Sequence, residues 1–175
     1  MAVYALGELV PEISPDAFVH PDAVVVGRVH LAGGVTVWPA AVLRGDFGEI
    51  RVGPDTSVQD GAVLHATAEL PTVVGRGCVI GHLAHLEGCT VEDGALVGSG
   101  ALVLHRARVG TGALVAAGSV VTPGTAVPAG SRVAGVPARP LAGPADPAEI
   151  ADAAARYVRN GHRYAAELRR LDPDL

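Results

Sequence analysis

The stretch Val91-Glu92-Asp93-Gly94-Ala95-Leu96-Val97-Gly98-Ser99-Gly100-Ala101-Leu102-Val103 repeats itself every six residues. Valine continues at that interval through Val109, Val115, Val121, Val127 and Val133. Four residues after each of the first seven stands a small residue: Ala95, Ala101, Ala107, Ala113, Ser119, Thr125 and Ser131. The same frame runs toward the N-terminus. Ile13, Val19, Val25, Leu31, Val37 and Leu43 are six apart, then come Val52, Val58 and Leu64 after a three-residue insertion. Val74, Ile80 and Leu86 follow four more inserted residues, and one residue is lost before Val91, giving twenty hexads. A period of six fits neither a helix nor simple strand alternation. It is the hexapeptide signature of a parallel β-helix, in which three hexads close one triangular coil and the head of each points inward. The expected fold is an all-β solenoid of about seven coils plus a C-terminal α-helix.

Composition agrees with a narrow core. Of 175 residues, 49% are hydrophobic but 3% aromatic, with 23 Gly and 13 Pro. So much Gly and Pro argues against a helix bundle, and so few aromatics against a conventional sandwich. The formal net charge is −5, and all 13 cations are Arg. No basic stripe is present, so nucleic acid is not an expected partner. The longest uncharged stretch, Val109 to Ser131, is broken by Gly112, Gly118, Pro123, Gly124 and Pro128, so no membrane span is expected. Residues Met1 to Pro11 lack the pattern of a signal peptide. Cys78 and Cys89 read as two buried thiols in a reducing, cytoplasmic setting.

Three segments emerge: residues 1–138 as the β-helix, 139–145 as a connector rich in Pro and small residues, and 146–172 as a helix packed along the coil. Asp146-Pro147-Ala148-Glu149 supplies an N-cap, a first-turn Pro and a capping-box acid. Apolar or small residues at Ile150, Ala154, Tyr157, Gly161, Tyr164, Leu168 and Leu171 extend one amphipathic face to about Leu171.

The hexad frame converts sequence into geometry, because positions three hexads apart lie one coil apart on the same face. Arg44, His65 and Glu87 each follow a head directly and form one column. Asp60 and His82 form a second column around the preceding corner. One chain cannot easily bring His65, Glu87 and His82 to a point, whereas a three-fold oligomer can. Two His and one carboxylate are a zinc ligand set with a fourth position for water. The insertions after Gly45 and after His65 fall beside this column and are expected to be loops. His20, His30, His105 and His162 read as solvated surface residues. Arg44, Asp46 and Asp60 read equally as catalytic helpers or as an ion network between subunits.

Trp38-Pro39, Leu43-Arg44-Gly45-Asp46, Val58-Gln59-Asp60-Gly61-Ala62-Val63-Leu64-His65, Gly81-His82 and Leu86-Glu87-Gly88-Cys89 resemble the γ-class carbonic anhydrase family. Gly135-Val136-Pro137-Ala138 and the terminal helix are similar as well. Resemblance to hexapeptide proteins implies a left-handed coil. The family resemblance implies a homotrimer with metal sites between subunits, Arg44 and Asp60 bridging subunits, and Gln59 near the metal-bound water. It implies His65, His82 and the position of Glu87 as metal ligands. Glu87 stands where the family has a third His, and His85 appears two residues earlier. Three readings stay open: Glu87 as ligand, His85 as its substitute or as the group orienting Glu87, and no stable metal. Ser57 replaces a usual Asn, and an acidic proton-shuttle loop is missing, Glu69 being the one acid between Ala66 and Thr72.

The leading functional expectation is a zinc-dependent lyase, a carbonate dehydratase in which metal-bound hydroxide attacks CO2 or a related small electrophile. Iron, cobalt and nickel suit the same donors. The alternatives are a metal-binding or non-catalytic relative, for instance for an iron chelate, and a hexapeptide acyltransferase. Short loops and the lack of a basic phosphate pocket place the acyltransferase last.

Overall fold

The computed structural model describes residues 2–171. The chain winds into a left-handed parallel β-helix of about seven turns, closed by one C-terminal helix. Its three faces follow the hexads in rotation. On the first face Ile13, Leu31, Val52, Val74, Val91, Val109 and Val127 pair in unbroken parallel register. On the second, Val19, Val37, Val58, Ile80, Val97, Val115 and Val133 do the same. On the third, Val25, Leu43, Leu64, Leu86, Val103 and Val121 stack. Every predicted head except Ile13 is buried, and Ile13 packs partly buried against the same core. An earlier strand, Ala2–Tyr4, adds Val3 beneath Val25, a partner outside the hexad frame.

Because alternate residues of a strand point to opposite sides, the residues flanking each head face outward, and they differ from face to face. On the first face the residues before the heads are Glu12, His30, Arg51, Val73, Thr90, Arg108 and Ala126, a mixed polar surface. On the second face they begin Phe18, Thr36, Ser57 and Val79, and the helix packs on the strands that carry these four. On the third face they are Val24, Val42, Val63, His85, Leu102 and Val120. All six are half-buried. The third face is therefore an apolar stripe, interrupted by one His, on a side the helix leaves open.

Four of the six aromatic residues collect between the helix and the coil. Trp38 lies 5.0 Å from Tyr164, 5.5 Å from Tyr157 and 5.7 Å from Phe18, centroid to centroid. Its indole N–H donates to Thr36 and Ser57 at 3.1 Å each. The buried Ser57 hydroxyl thus has a structural partner. The helix runs Pro147–Glu167, with the Asp146 side chain accepting from the Ala148 and Glu149 N–H groups. It stops short of the expected Leu171: Leu168 is extended, and Leu168 and Leu171 are both exposed, with no face left to cover. Residue 172 lies outside the described residues. The expected connector also begins with structure, since Arg139–Pro140 pairs antiparallel with the last coil at Val133 and Ala134.

The first insertion is not a loop. Val42–Val52 is one continuous strand that crosses the corner, with a register shift opposite Gly27 and Val29. Glycine makes this possible: a Cβ on Gly48 would sit 2.0 Å from the Thr67 carbonyl oxygen. The second insertion is the short loop 66–71, closed by mutual backbone hydrogen bonds between Thr67 and Leu70 at 3.1 and 3.3 Å. Cys78 and Cys89 are free and buried, and burial pushes their thiols up to about 11 and about 12. No helix among the described residues is long and apolar enough to cross a membrane.

The stacked heads carry the fold, so truncating one is costly. Leu64→Ala, at a fully buried head, is expected to lower unfolding free energy by about 2–5 kcal/mol in urea titration.

Candidate functional site

The column read from the sequence is present. Arg44, His65 and Glu87 are direct cross-strand neighbours on the third face. His65 is the hub, with only 13% of its side chain exposed. Its Nδ1 lies 2.9 Å from Glu87 Oε1, and its Nε2 lies 3.2 Å from Asp46 Oδ1. Asp46 in turn accepts from the Arg44 guanidinium. A carboxylate thus stands at each ring nitrogen of His65, and the second carboxylate is anchored by an arginine. The Thr72 hydroxyl donates to the His65 carbonyl and accepts from the Gly88 N–H at 2.8 Å, tying the short loop to the column.

Glu87 collects more than His65. Its Oε2 lies 3.4 Å from His85 Nε2, and its Oε1 lies 3.7 Å from His105 Nε2. The second distance is too long for a hydrogen bond. Accordingly His105 Nε2 is buried without a hydrogen-bond partner among the described residues. His105 was expected to be solvated. Its position, two residues after the head Val103, carries it one coil above Gly88, diagonal to Glu87, and the bare glycine beneath it was the readable signal. His20 and His30 depart from the same expectation. His20 is buried, with Nδ1 accepting from the Asp22 N–H at 3.1 Å, and His30 bridges Glu12 and Glu49 at 3.1 and 2.8 Å. His162 is exposed.

Asp60 and His82 form the second group, 2.9 Å apart and both nearly half exposed. They sit on the corner between the second and third faces. Gln59 precedes them on the helix-covered face and is buried. Tyr157 of the helix comes close enough for the Asp60 charge to reinforce the rise in its hydroxyl pKa, which burial chiefly causes. Within one chain, then, His65, Glu87, Asp46, Arg44, His85 and His105 are brought together, whereas His82, Asp60 and Gln59 are not brought to them. Among the described residues, no three His, Cys, Asp or Glu side chains are arranged to hold a metal ion. Grooves of the single chain lie elsewhere, on the first face near His30 and Arg51 and below the helix end near Tyr164.

The electrostatics follow the contacts. The hydrogen bond from His65 holds the Glu87 carboxyl below its ordinary 4.5; burial opposes this, and the His85 hydrogen bond and the charges of His105 and His65 add to it. For Asp46, burial pushes upward most, but the hydrogen bonds from Arg44, His65 and the backbone together outweigh it and leave the carboxyl below 3.8.

With this geometry in view, likeness to known proteins is informative. A hexapeptide transferase family protein from Anaplasma phagocytophilum shares 32% identity and a TM-score of 0.89, over 93% of this chain and 98% of that one. The chain belongs to the hexapeptide transferase family. A putative acetyltransferase from Bacillus cereus shares 27% identity with a TM-score of 0.92, over 95% and 98% of the two chains. The carnitine operon protein CaiE of Escherichia coli is 41% identical over 104 residues, which are 59% of this chain and 53% of that protein. The chain thus spans about half the length of the curated relatives it matches. No family model matches the sequence. The two solved structures are described as a transferase family protein and a putative acetyltransferase, whereas the name of CaiE states no activity.

A depressed carboxyl pKa stabilises the fold above its unfolded value and ceases to do so as pH falls through its folded value. Glu87→Gln is therefore expected to unfold at lower urea concentration than wild type at pH 7. The gap should shrink as pH drops below about 4.5, read from midpoints measured across that range.

Proposed function

We propose that this hexapeptide protein activates water for addition to CO2 or a related small electrophile at sites between three copies of the chain. Each site would hold a divalent metal on His65 and Glu87 of one copy and His82 of the next. The observation that most supports this is the His65–Glu87 pair, 2.9 Å apart, on the apolar face that the helix leaves open. A second copy would cover the stripe and supply the ligand that a single chain lacks.

The donor chemistry fits such a metal. Two donors about 2.0–2.1 Å from a tetrahedral ion stand roughly 3.3 Å apart, so the hydrogen-bonded pair at 2.9 Å would open slightly to admit one. An Nε2–H donated by His65 to Asp46 Oδ1 would leave the Nδ1 lone pair on the Glu87 side. His82 is arranged as metal-binding histidines commonly are, with a carboxylate on one nitrogen and the other free. Zinc suits this set, and iron, cobalt or nickel accept the same donors. When bound, the metal would supply a water of lowered pKa. The chain's own residues position it. Arg44 fixes Asp46, Asp46 fixes the His65 tautomer, and Gln59 enters the site with the copy that brings His82. Glu87 makes the centre less positive than a third His would, which works against a low water pKa. His85 and His105 withdraw part of that negative charge.

Acyl transfer is the second reading, and a specific feature favours it. Held by Asp46 through one ring nitrogen, His65 would serve as a general base once Glu87 gives way to an acceptor at the other, and the Bacillus cereus relative is described as a putative acetyltransferase. In that case His65 would take the proton of an acceptor hydroxyl or amine.

Metal analysis and sedimentation separate the two. The purified trimer is expected to carry about one divalent ion per chain, lost in His65→Ala and in His82→Ala with assembly retained. Glu87→His should keep the ion and raise CO2 hydration, because a neutral ligand leaves the metal-bound water more acidic. An intact trimer that is metal-free and turns over acetyl-coenzyme A would instead establish the second reading.

A further inference from the structure

Large apolar side chains are rarely exposed in the body of this solenoid. Among the described residues, Phe47 at 69% and Leu83 at 71% exposure are the two beside the polar columns. The others lie in the first or last turns or at the end of the helix. Leu83 occupies a corner position with φ +59°, where the coils below and above carry Gly61 at +67° and Gly100 at +66°. That left-handed conformation is free for glycine and costly for a side chain. Within the chain Leu83 lies over the bare corner at Gly61, where a Cβ would meet its Cδ2 at 2.7 Å. A strained, exposed leucine adds nothing to the core, so its contribution lies outside the single chain. Phe47 follows Asp46 and meets His65 edge-on, with ring centroids 6.4 Å apart.

Leu83 adjoins His82, and Phe47 adjoins His65. An arrangement that brings His82 of one copy to His65 of the next would carry Leu83 and Phe47 to the same interface. We infer that Phe47 of one copy and Leu83 of the next form an apolar wall beside the reacting centre, and that the substrate is a carbonyl compound carrying an apolar group. This names the substrate class of the site proposed above and rests on that site. For an ester, the water oxygen bonds to the acyl carbon and the bond to the alkoxy oxygen breaks. One water proton goes to the leaving alkoxide and the other is released as the product acid ionises.

The test uses the purified, metal-loaded trimer, Phe47→Ser and Leu83→Gly, with p-nitrophenyl acetate, butyrate and hexanoate. Binding of free acetate and hexanoate is measured separately by calorimetry. A half-buried methylene is worth about a twofold gain, so over the four methylenes added from the two-carbon to the six-carbon chain wild-type kcat/KM and affinity should each rise about fifteenfold. Each variant should lose most of that rise while remaining a trimer. If no ester is hydrolysed but hexanoate still binds more tightly than acetate, and Phe47→Ser abolishes the difference, the wall stands and the proposed chemistry falls. Indifference of the wild type to chain length in both measurements overturns the wall, as does a preference that both variants retain. Dissociation of Leu83→Gly into monomers with the chain-length preference intact in Phe47→Ser overturns it too, making Leu83 only a contact between copies.

Discussion

Each coil of this protein is held by its neighbours through parallel backbone pairing, with one aliphatic side chain per face stacked beneath the ladder. The interior is too narrow to tolerate a slip, because a shift of one residue would turn a buried valine outward and a polar neighbour inward. Register is therefore fixed from Val3 to Val133, and every outward residue inherits a fixed place. Arg44, His65 and Glu87 are adjacent for that reason, and Asp60 lies under His82 for the same reason. The chemistry is carried by a rigid ladder rather than by mobile loops, which limits how far any donor must move to become functional.

The same constraint divides the surface into three unlike faces. One is polar, one lies under the helix, and the third shows aliphatic residues broken by His85. An amphipathic helix and a second copy are the two ways such a solenoid can cover apolar faces without edge strands. Under the proposed assembly, placing the polar column on the face left open would make assembly and function the same event. It also accounts for a site that looks incomplete in one chain: His65 and Glu87 are half-buried partners, while His82 reaches outward from a corner with one nitrogen held by Asp60.

Much of this was legible in the sequence, because the hexad is a direct physical readout of the coil. The heads, the faces and both polar columns follow from counting. What counting missed arises where local packing overrides the period. The Gly45 insertion stays in the strand because bare glycine backbones at Gly27, Gly45 and Gly48 allow close approach. The helix ends at Glu167 because its apolar pattern outlasts the surface it can cover. His105 was passed over as a surface residue, although its offset from Val103 places it above Gly88, from where its ring leans toward Glu87. Val3 lies before the first full hexad, so no periodicity announced it. Whether a metal joins the column is not a matter of period at all, since Glu87 is both a candidate ligand and the hydrogen-bond acceptor for two imidazoles, His65 and His85.

The central claim is that His65 and His82 act together from different copies, and co-assembly of two defective chains tests it most directly. Co-expressed His65→Ala and His82→Ala chains would form mixed trimers in which about one interface in four carries both wild-type histidines. Metal content and turnover that are lost in each variant alone are expected to return to about that fraction of wild type. Mixed trimers that form yet recover neither would contradict a site shared between copies.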